Sequence, residues 1–336
     1  MAAVIPTSPL RASGSLFGLA YGDALGKPTE FLTVAEIQHR YGPTGPRELS
    51  GEPALVTDDT QMALAVGWAL HEAPSLTPEA VEPLLRQRFV AWAVSPDNNR
   101  APGMTCLRAC AELTRGVRWQ DATVIGSKGC GANMRVTPIG LLDVDLETMA
   151  GLAQLQAGLT HGHPTGLAAS ELTAYAVFAL RAGATLPELP ALLTERALTQ
   201  RLVYREQWLS DLWQRADSRS PQEFIAHGWD ECLAVLGRLT DALGQPDDGG
   251  DPCQATGEGW VAEEALATAL LCAVRHADDP VAALARGATT AGDSDSIAAL
   301  AGAFVGAAMG MAAWPSGWAE RIEYADQLTA LAEAWD

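Results

Sequence analysis

Two short stretches far apart in the chain carry acids in the same setting. In TTAGDSDSIAALAG (289–302), Asp293 and Asp295 stand between Gly292 and a run of small apolar residues. In LVTDDTQMALAVGWAL (55–70), Thr57, Asp58, Asp59 and Thr60 immediately precede an apolar helical run. Acids in a first helical turn offset the positive end of the helix dipole, which alone could account for either stretch. On a regular helix, residues two apart point to nearly opposite sides, so Asp293 and Asp295 can converge only where a helix is beginning. Gly292 frees the backbone there, and Ser294 and Ser296 add neutral oxygens. Carboxylates and hydroxyls without flanking His or Cys suit hard divalent cations such as Mg²⁺ or Mn²⁺ better than Zn²⁺, and four acids suffice for a two-metal centre. Spacing alone leaves metal binding and helix capping both open.

The elements that must position these acids read as helices. In GWVAEEALATALLCAVRHA (259–277), Val261, Leu266, Leu270, Leu271 and Val274 recur at helical spacing. Similar runs follow Thr57, Ser75 and Ser170, while residues 298–314 are apolar on all sides, the pattern of a buried central helix. Turn formers cluster at 41–53, 95–103, 127–140 and 244–259, strand patterns are nearly absent, and no period of 20 to 50 residues marks a solenoid. The expectation is one all-α domain over 1–336, with an ordered core from about residue 12 and functional loops between helices.

Composition narrows the partners. The 336 residues hold 22 Lys+Arg against 41 Asp+Glu, a formal charge of −19, which repels phosphate backbones and anionic membranes. Six scattered cysteines form no C-x-x-C pair, so neither a zinc knuckle nor a disulfide framework is signalled. MAAVIPTSPLRASG (1–14) has no continuous apolar segment, and the expectation is a soluble cytoplasmic monomer that binds neither nucleic-acid backbone nor membrane.

Seven stretches in order resemble the ADP-ribosylglycohydrolase family, the group containing the dinitrogenase reductase-activating glycohydrolase and the ADP-ribosyl-acceptor hydrolases. They are GSLFGLAYGDALGKPTEF (14–31), TDDTQ (57–61), NRAPGMTCL (99–107), GSKGCGANMRVTPIGL (126–141), THGHPTG (160–166), GWVAEEALATAL (259–270) and GDSDSIAALAGAFVGAAMG (292–310). TDDT or GDSDS alone is weak; their order and helical context are specific. The resemblance implies a compact orthogonal helical bundle with two Mg²⁺ or Mn²⁺ ions at the bottom of a cleft, held by Thr57, Asp58, Asp59, Asp293, Asp295 and Ser296. It further implies hydrolysis of ADP-ribose from an acceptor at C1 of the distal ribose, with a proton handled by Glu30 or by a metal-bound aspartate such as Asp58, Asp59 or Asp295.

The remaining assignments each have a plainer reading. Glu30, in a Gly/Pro-punctuated loop, reads as a solvated charge without context; serine-directed relatives carry a metal-binding flap Glu at the matching place. Asp23 reads as a stabiliser of its loop or of a helix entrance. The glycines of GSKGCGANMR can form an anion nest or merely a turn; the resemblance places Gly126, Ser127, Lys128, Gly129, Cys130, Gly131 and Met134 around ADP-ribose. Lys128 stands where some members carry an aromatic, and Cys130 where Asn is common, which leaves adenine stacking unassigned. His161 matches a pocket-lining position, whereas His163 reads as a hydrogen-bonded loop residue. Asp97 either orders its Asn-rich turn or, as in arginine-directed relatives, pairs with a modified guanidinium. The alternatives are hydrolysis of O-acetyl-ADP-ribose or a related metabolite, and an ADP-ribose-binding or structural protein without turnover. The acceptor, whether arginine, serine, a nucleic-acid end or a metabolite, is left open.

Overall fold

The computed structural model describes residues 9–336; the stretch 1–8, part of the segment read above as lacking an apolar leader, lies outside them. The described chain is helical, with no strand among the described residues beyond three isolated β-bridges. No helix is long and apolar enough to cross a membrane among the described residues.

The organising contact joins the two ends of the chain. Helix Arg11–Gly26 carries Gly14, Gly18, Gly22 and Gly26 at four-residue intervals, one stripe along its face. Helix Ser294–Met309 answers with Ala298, Gly302 and Gly306, followed by Gly310 as its C-cap. A Cβ on Gly18 would overlap the Gly302 carbonyl, one on Gly22 the Ala298 carbonyl, and one on Gly26 the Cα of Asp295. The helices therefore run antiparallel with their backbones touching, which only these small residues permit. Ser294–Met309 is buried almost throughout, flanked by Pro164–Arg181, Ala262–Arg275 and Pro280–Gly287, and matches the central helix expected over 298–314 except that it stops at Met309.

One further helix limit and one whole helix differ from expectation. The helix placed after Ser170 begins at Pro164, where His163 caps it by accepting the Thr165 N–H through Nδ1 at 3.2 Å. Proline at the first helical position, with its fixed φ and no N–H to satisfy, is the start signal. The 23-residue helix Pro221–Leu243 had no counterpart among the expected runs, although Ser220 caps it through the Glu223 N–H and its buried face holds Phe224, Trp229, Cys232, Val235, Leu236 and Leu239.

Candidate active site

Asp58–Glu72 begins where the sequence places it. Thr57 has extended backbone and its hydroxyl faces the Asp59 N–H at 3.4 Å. The fully buried Asp23 then clamps this first turn, accepting the N–H groups of Thr57 and Thr60 at 2.9 and 3.1 Å and their hydroxyls at 2.9 and 2.6 Å. Asp58 accepts the Gly103 N–H at 3.1 Å, tying the loop at 99–103 to the same turn. Asp23 thus stabilises a helix entrance, and leaves Asp58 and Asp59 to face elsewhere.

At the opposite entrance Asp293 caps Ser294–Met309 with non-helical backbone, while Asp295 lies in the first turn. The Asp293 N–H donates to the Glu258 carbonyl at 2.8 Å, where Gly292 lets the two backbones meet. Thr29 donates its hydroxyl to the Gly26 carbonyl at 2.7 Å, and the Ser294 hydroxyl, 3.0 Å from Thr29 Oγ1, donates to that oxygen, which anchors the turn carrying Glu30. One carboxylate oxygen each from Glu30, Asp293 and Asp295 lies within 4.8 Å of the others.

These entrances open into one cleft of about 390 Å³, lined by Glu30, Asp58, Asp59, Asp293, Asp295 and Ser296 together with Gly129, Cys130, Gly131, Met134 and His161. Its rim is apolar: Phe31 stacks on Trp260, ring centroids 5.7 Å apart and planes 14° from parallel. Neither aromatic was singled out in sequence, because the contact spans most of the chain. Ala101, Pro102, Gly103, Met104 and Thr105 complete the lining, again without prior assignment.

Crowding acids in a buried cleft raises the cost of ionising each. Burial, then the charges of Asp295, Asp58 and Asp23, push Glu30 up to about 9. Burial pushes Asp58 up to about 7 against the Gly103 hydrogen bond, and holds Asp59 and Asp293 well above the carboxylate range, with Asp295 as the largest neighbouring charge on both. Asp295 is raised as well, by burial. Asp59 Oδ1 is buried without a hydrogen-bond partner, and no Lys or Arg lines the cleft among the described residues.

The GSKGCGANMR loop is drawn to the cleft by two bridges: Cys130 N–H to the Trp260 carbonyl with Ala262 N–H to the Lys128 carbonyl, and Val124 with His161. Only its second half, Gly129 to Gly131 with Met134, lines the cleft. Gly126 lines a separate groove with His163 and His227, and Ser127 pairs with the Thr105 hydroxyl at 2.9 Å. Lys128 does not face the cleft: its ammonium is bound by Glu231 at 2.8 Å and Glu263 at 2.5 Å. Burial, followed by the Asp293 and Asp59 charges, pushes the Cys130 thiol far up, which disqualifies it as a nucleophile. Asp97 also lies off the cleft, in a groove with Gln61, Trp68 and Trp92, its carboxylate accepting the Tyr324 hydroxyl at 3.2 Å.

A family model described as ADP-ribosylglycohydrolase matches residues 6–336. The chain belongs to the ADP-ribosylglycohydrolase family. It is 36% identical over 167 residues to the ADP-ribosyl-[dinitrogen reductase] glycohydrolase of Rhodospirillum rubrum, covering 47% of this chain and 54% of that protein. The chain thus spans about half the length of that relative. With the ADP-ribosylhydrolase ARH3 of Bos taurus it shares 27% identity over 350 residues, 96% of this chain and 92% of the relative. A solved structure titled ADP-ribosylglycohydrolase-related protein complex superposes with a TM-score of 0.65 at 24% identity, covering 97% of each chain, and shares the fold. The acids and Ser296 of the cleft offer oxygen donors, with no facing Lys or Arg among the described residues and one carboxylate oxygen orphaned in the interior. Such oxygens fit a hard cation better than a soft one.

Proposed function

We propose that the protein is a hydrolase that releases ADP-ribose from an ADP-ribosylated protein side chain by cleavage at C1 of the distal ribose, dependent on two divalent cations, Mg²⁺ or Mn²⁺. The observation that supports this is the convergence of five carboxylates in one cleft without a facing Lys or Arg among the described residues. Thr57, Asp58, Asp59, Asp293, Asp295 and Ser296 would hold the cations. When bound, these supply the positive charge that orients ribose hydroxyls and makes water more acidic.

The chain's own groups do the rest. Asp23 and the Gly103 N–H fix the directions of the Thr57–Asp59 turn, so the acids meet the ligand already oriented. The Gly129–Gly131 backbone and His161 line the ADP-ribose side of the cleft. Water's oxygen bonds to C1 as the bond from C1 to the acceptor breaks, and water's proton passes by way of Glu30 Oε to the leaving atom. Glu30 suits this because it is the one cleft acid on a turn rather than at a helix entrance, and it is not among the six groups assigned to the cations.

The test is a panel of ADP-ribosylated arginine and serine peptides and O-acetyl-ADP-ribose, each with Mg²⁺, with Mn²⁺ or with chelator. The expected result is free ADP-ribose from a peptide with metal and none with chelator. Release that survives chelation, or none from any substrate, overturns the proposal; release from O-acetyl-ADP-ribose alone moves the acceptor to a metabolite.

A further inference from the structure

Arg135 is among the largest fully buried side chains, and no carboxylate pairs with it among the described residues. Its guanidinium lies 4.2 Å from the centre of the Phe89 ring. Nε donates to Gln156 Oε1 at 2.7 Å, and Nη2 to the Gln156 carbonyl at 2.7 Å and to Thr160 Oγ1 at 2.8 Å. Gln156 is itself oriented by donating to the Ala132 carbonyl at 2.8 Å. Thr160 Oγ1 also lies 2.8 Å from His161 Nδ1.

Guanidinium only donates, so the Thr160 oxygen accepts from Arg135. Its single hydrogen then needs an acceptor, since an unpartnered buried hydroxyl is costly, and among the described residues His161 Nδ1 is the one in reach. Nδ1 therefore accepts, and the ring proton sits on Nε2. The Nε2 edge faces the glycines at 129 and 131, where an added Cβ would lie 3.4 Å from it, and His161 lines the acid cleft.

We infer that Arg135 and Thr160 are positioning residues that hold His161 in the Nε2–H tautomer, presenting a permanent neutral hydrogen-bond donor to an oxygen of the ADP-ribosyl ligand. This rests on the functional reading above. Burial, and then the Arg135 charge, lowers His161 to about 3, which keeps the ring neutral. The arrangement gives the acid-rich cleft a donor that adds no charge of its own, while the guanidinium charge stays one hydroxyl behind it.

The experiment uses the full chain labelled with nitrogen-15 at histidine. The His161 ring nitrogens are assigned by their loss in His161→Gln, and ADP-ribose binding is measured by calorimetry for wild type, Thr160→Val and Thr160→Ser. Wild type is expected to show the Nε2-protonated pattern before any ligand is added. Thr160→Val is expected to lose that pattern and bind ADP-ribose on the order of tenfold more weakly, the worth of one hydrogen bond, while Thr160→Ser stays near wild type in both. A wild-type ring protonated on Nδ1 overturns the inference, whether or not Thr160→Val folds. So does unchanged affinity in Thr160→Val, or an equal loss in Thr160→Ser, which would mark packing rather than the hydroxyl. Failure of wild type to bind ADP-ribose sinks the functional reading and the ligand role together, while the resonances still decide the tautomer.

Discussion

Two buried polar clusters in this molecule are built on opposite principles. Around Glu171, on Pro164–Arg181, every charge is answered from within. The carboxylate has no exposure; Oε1 accepts from Arg196 at 2.7 Å, and Oε2 from Gln154 at 2.7 Å and Arg205 at 2.9 Å. In the cleft, five carboxylates face one another with no such answer, and Asp59 Oδ1 has no partner. A buried charge costs several kcal/mol unless it is paired. The first cluster meets that cost inside the chain; the second leaves it to something that binds. Burial of charge therefore does not mark function by itself, and the missing counter-charge does.

The comparison breaks most sharply by removing one acid from the unanswered cluster. Asp58→Asn or Asp293→Asn is expected to lower turnover by at least about 10³-fold while leaving the helical circular dichroism signal intact, since each removes charge from a site rather than a partner from the core. Retained turnover in both at limiting metal would remove the case for a cation centre. In the answered cluster the same kind of change should act the other way. Glu171→Ala strands two guanidinium groups and is expected to destabilise the fold by about 3–5 kcal/mol, read in denaturant titration, with turnover of the remaining folded protein unaltered.

Glu30 sharpens the boundary between the entrances and the turn. Glu30→Gln is expected to lower kcat by about 10²-fold with little change in ADP-ribose affinity if it moves the proton. Weakened binding with kcat intact would make it a ligand clamp, and no change in either would make it a bystander.

The smallest effect concerns pH. In chelated protein Glu30 and Asp58 titrate near 9 and 7 rather than in the ordinary carboxylate range. These two groups then bind more protons in the folded chain than in the unfolded one between about pH 4 and 9, so their contribution to stability is full below about pH 4 and is lost as pH rises through that window. Adding Mg²⁺ or Mn²⁺ is expected to raise Tm by about 2–4 °C more at pH 9 than at pH 5. An equal shift at both pH values would mean the cleft acids are not what the cation compensates.

Much of the cleft was legible because its signals are local. A helix entrance is written in a few adjacent residues, and both acid entrances were found from Thr57 to Thr60 and from Gly292 to Ser296. Asp23 was read correctly as a support. What escaped depends on distant partners. Lys128 looks available in its glycine-rich loop, yet its carboxylates come from positions 231 and 263, on two other helices. Arg135 was not singled out in NMRVTP, because the groups that hold it, Gln156, Thr160 and Phe89, lie elsewhere in the chain. The all-α class was legible from periodicity; the backbone contact between Arg11–Gly26 and Ser294–Met309 was not, because a four-residue glycine spacing says that something comes close without saying what.

That contact also sets a mechanical tolerance. The carbonyls of one helix fit the gaps of the other at every fourth residue, so the pair behaves like two notched rulers laid face to face. The next position at which the notches engage again lies about 6 Å away, four residues at the helical rise. Glu30 follows one ruler's end and Asp295 begins the other, and their oxygens must stay within 4.8 Å. Small slippage is blocked by colliding backbones, and a full notch would carry the acids out of reach. The accuracy of the acid cluster is thus inherited from glycines that run the length of both helices, most of them far from any ligand.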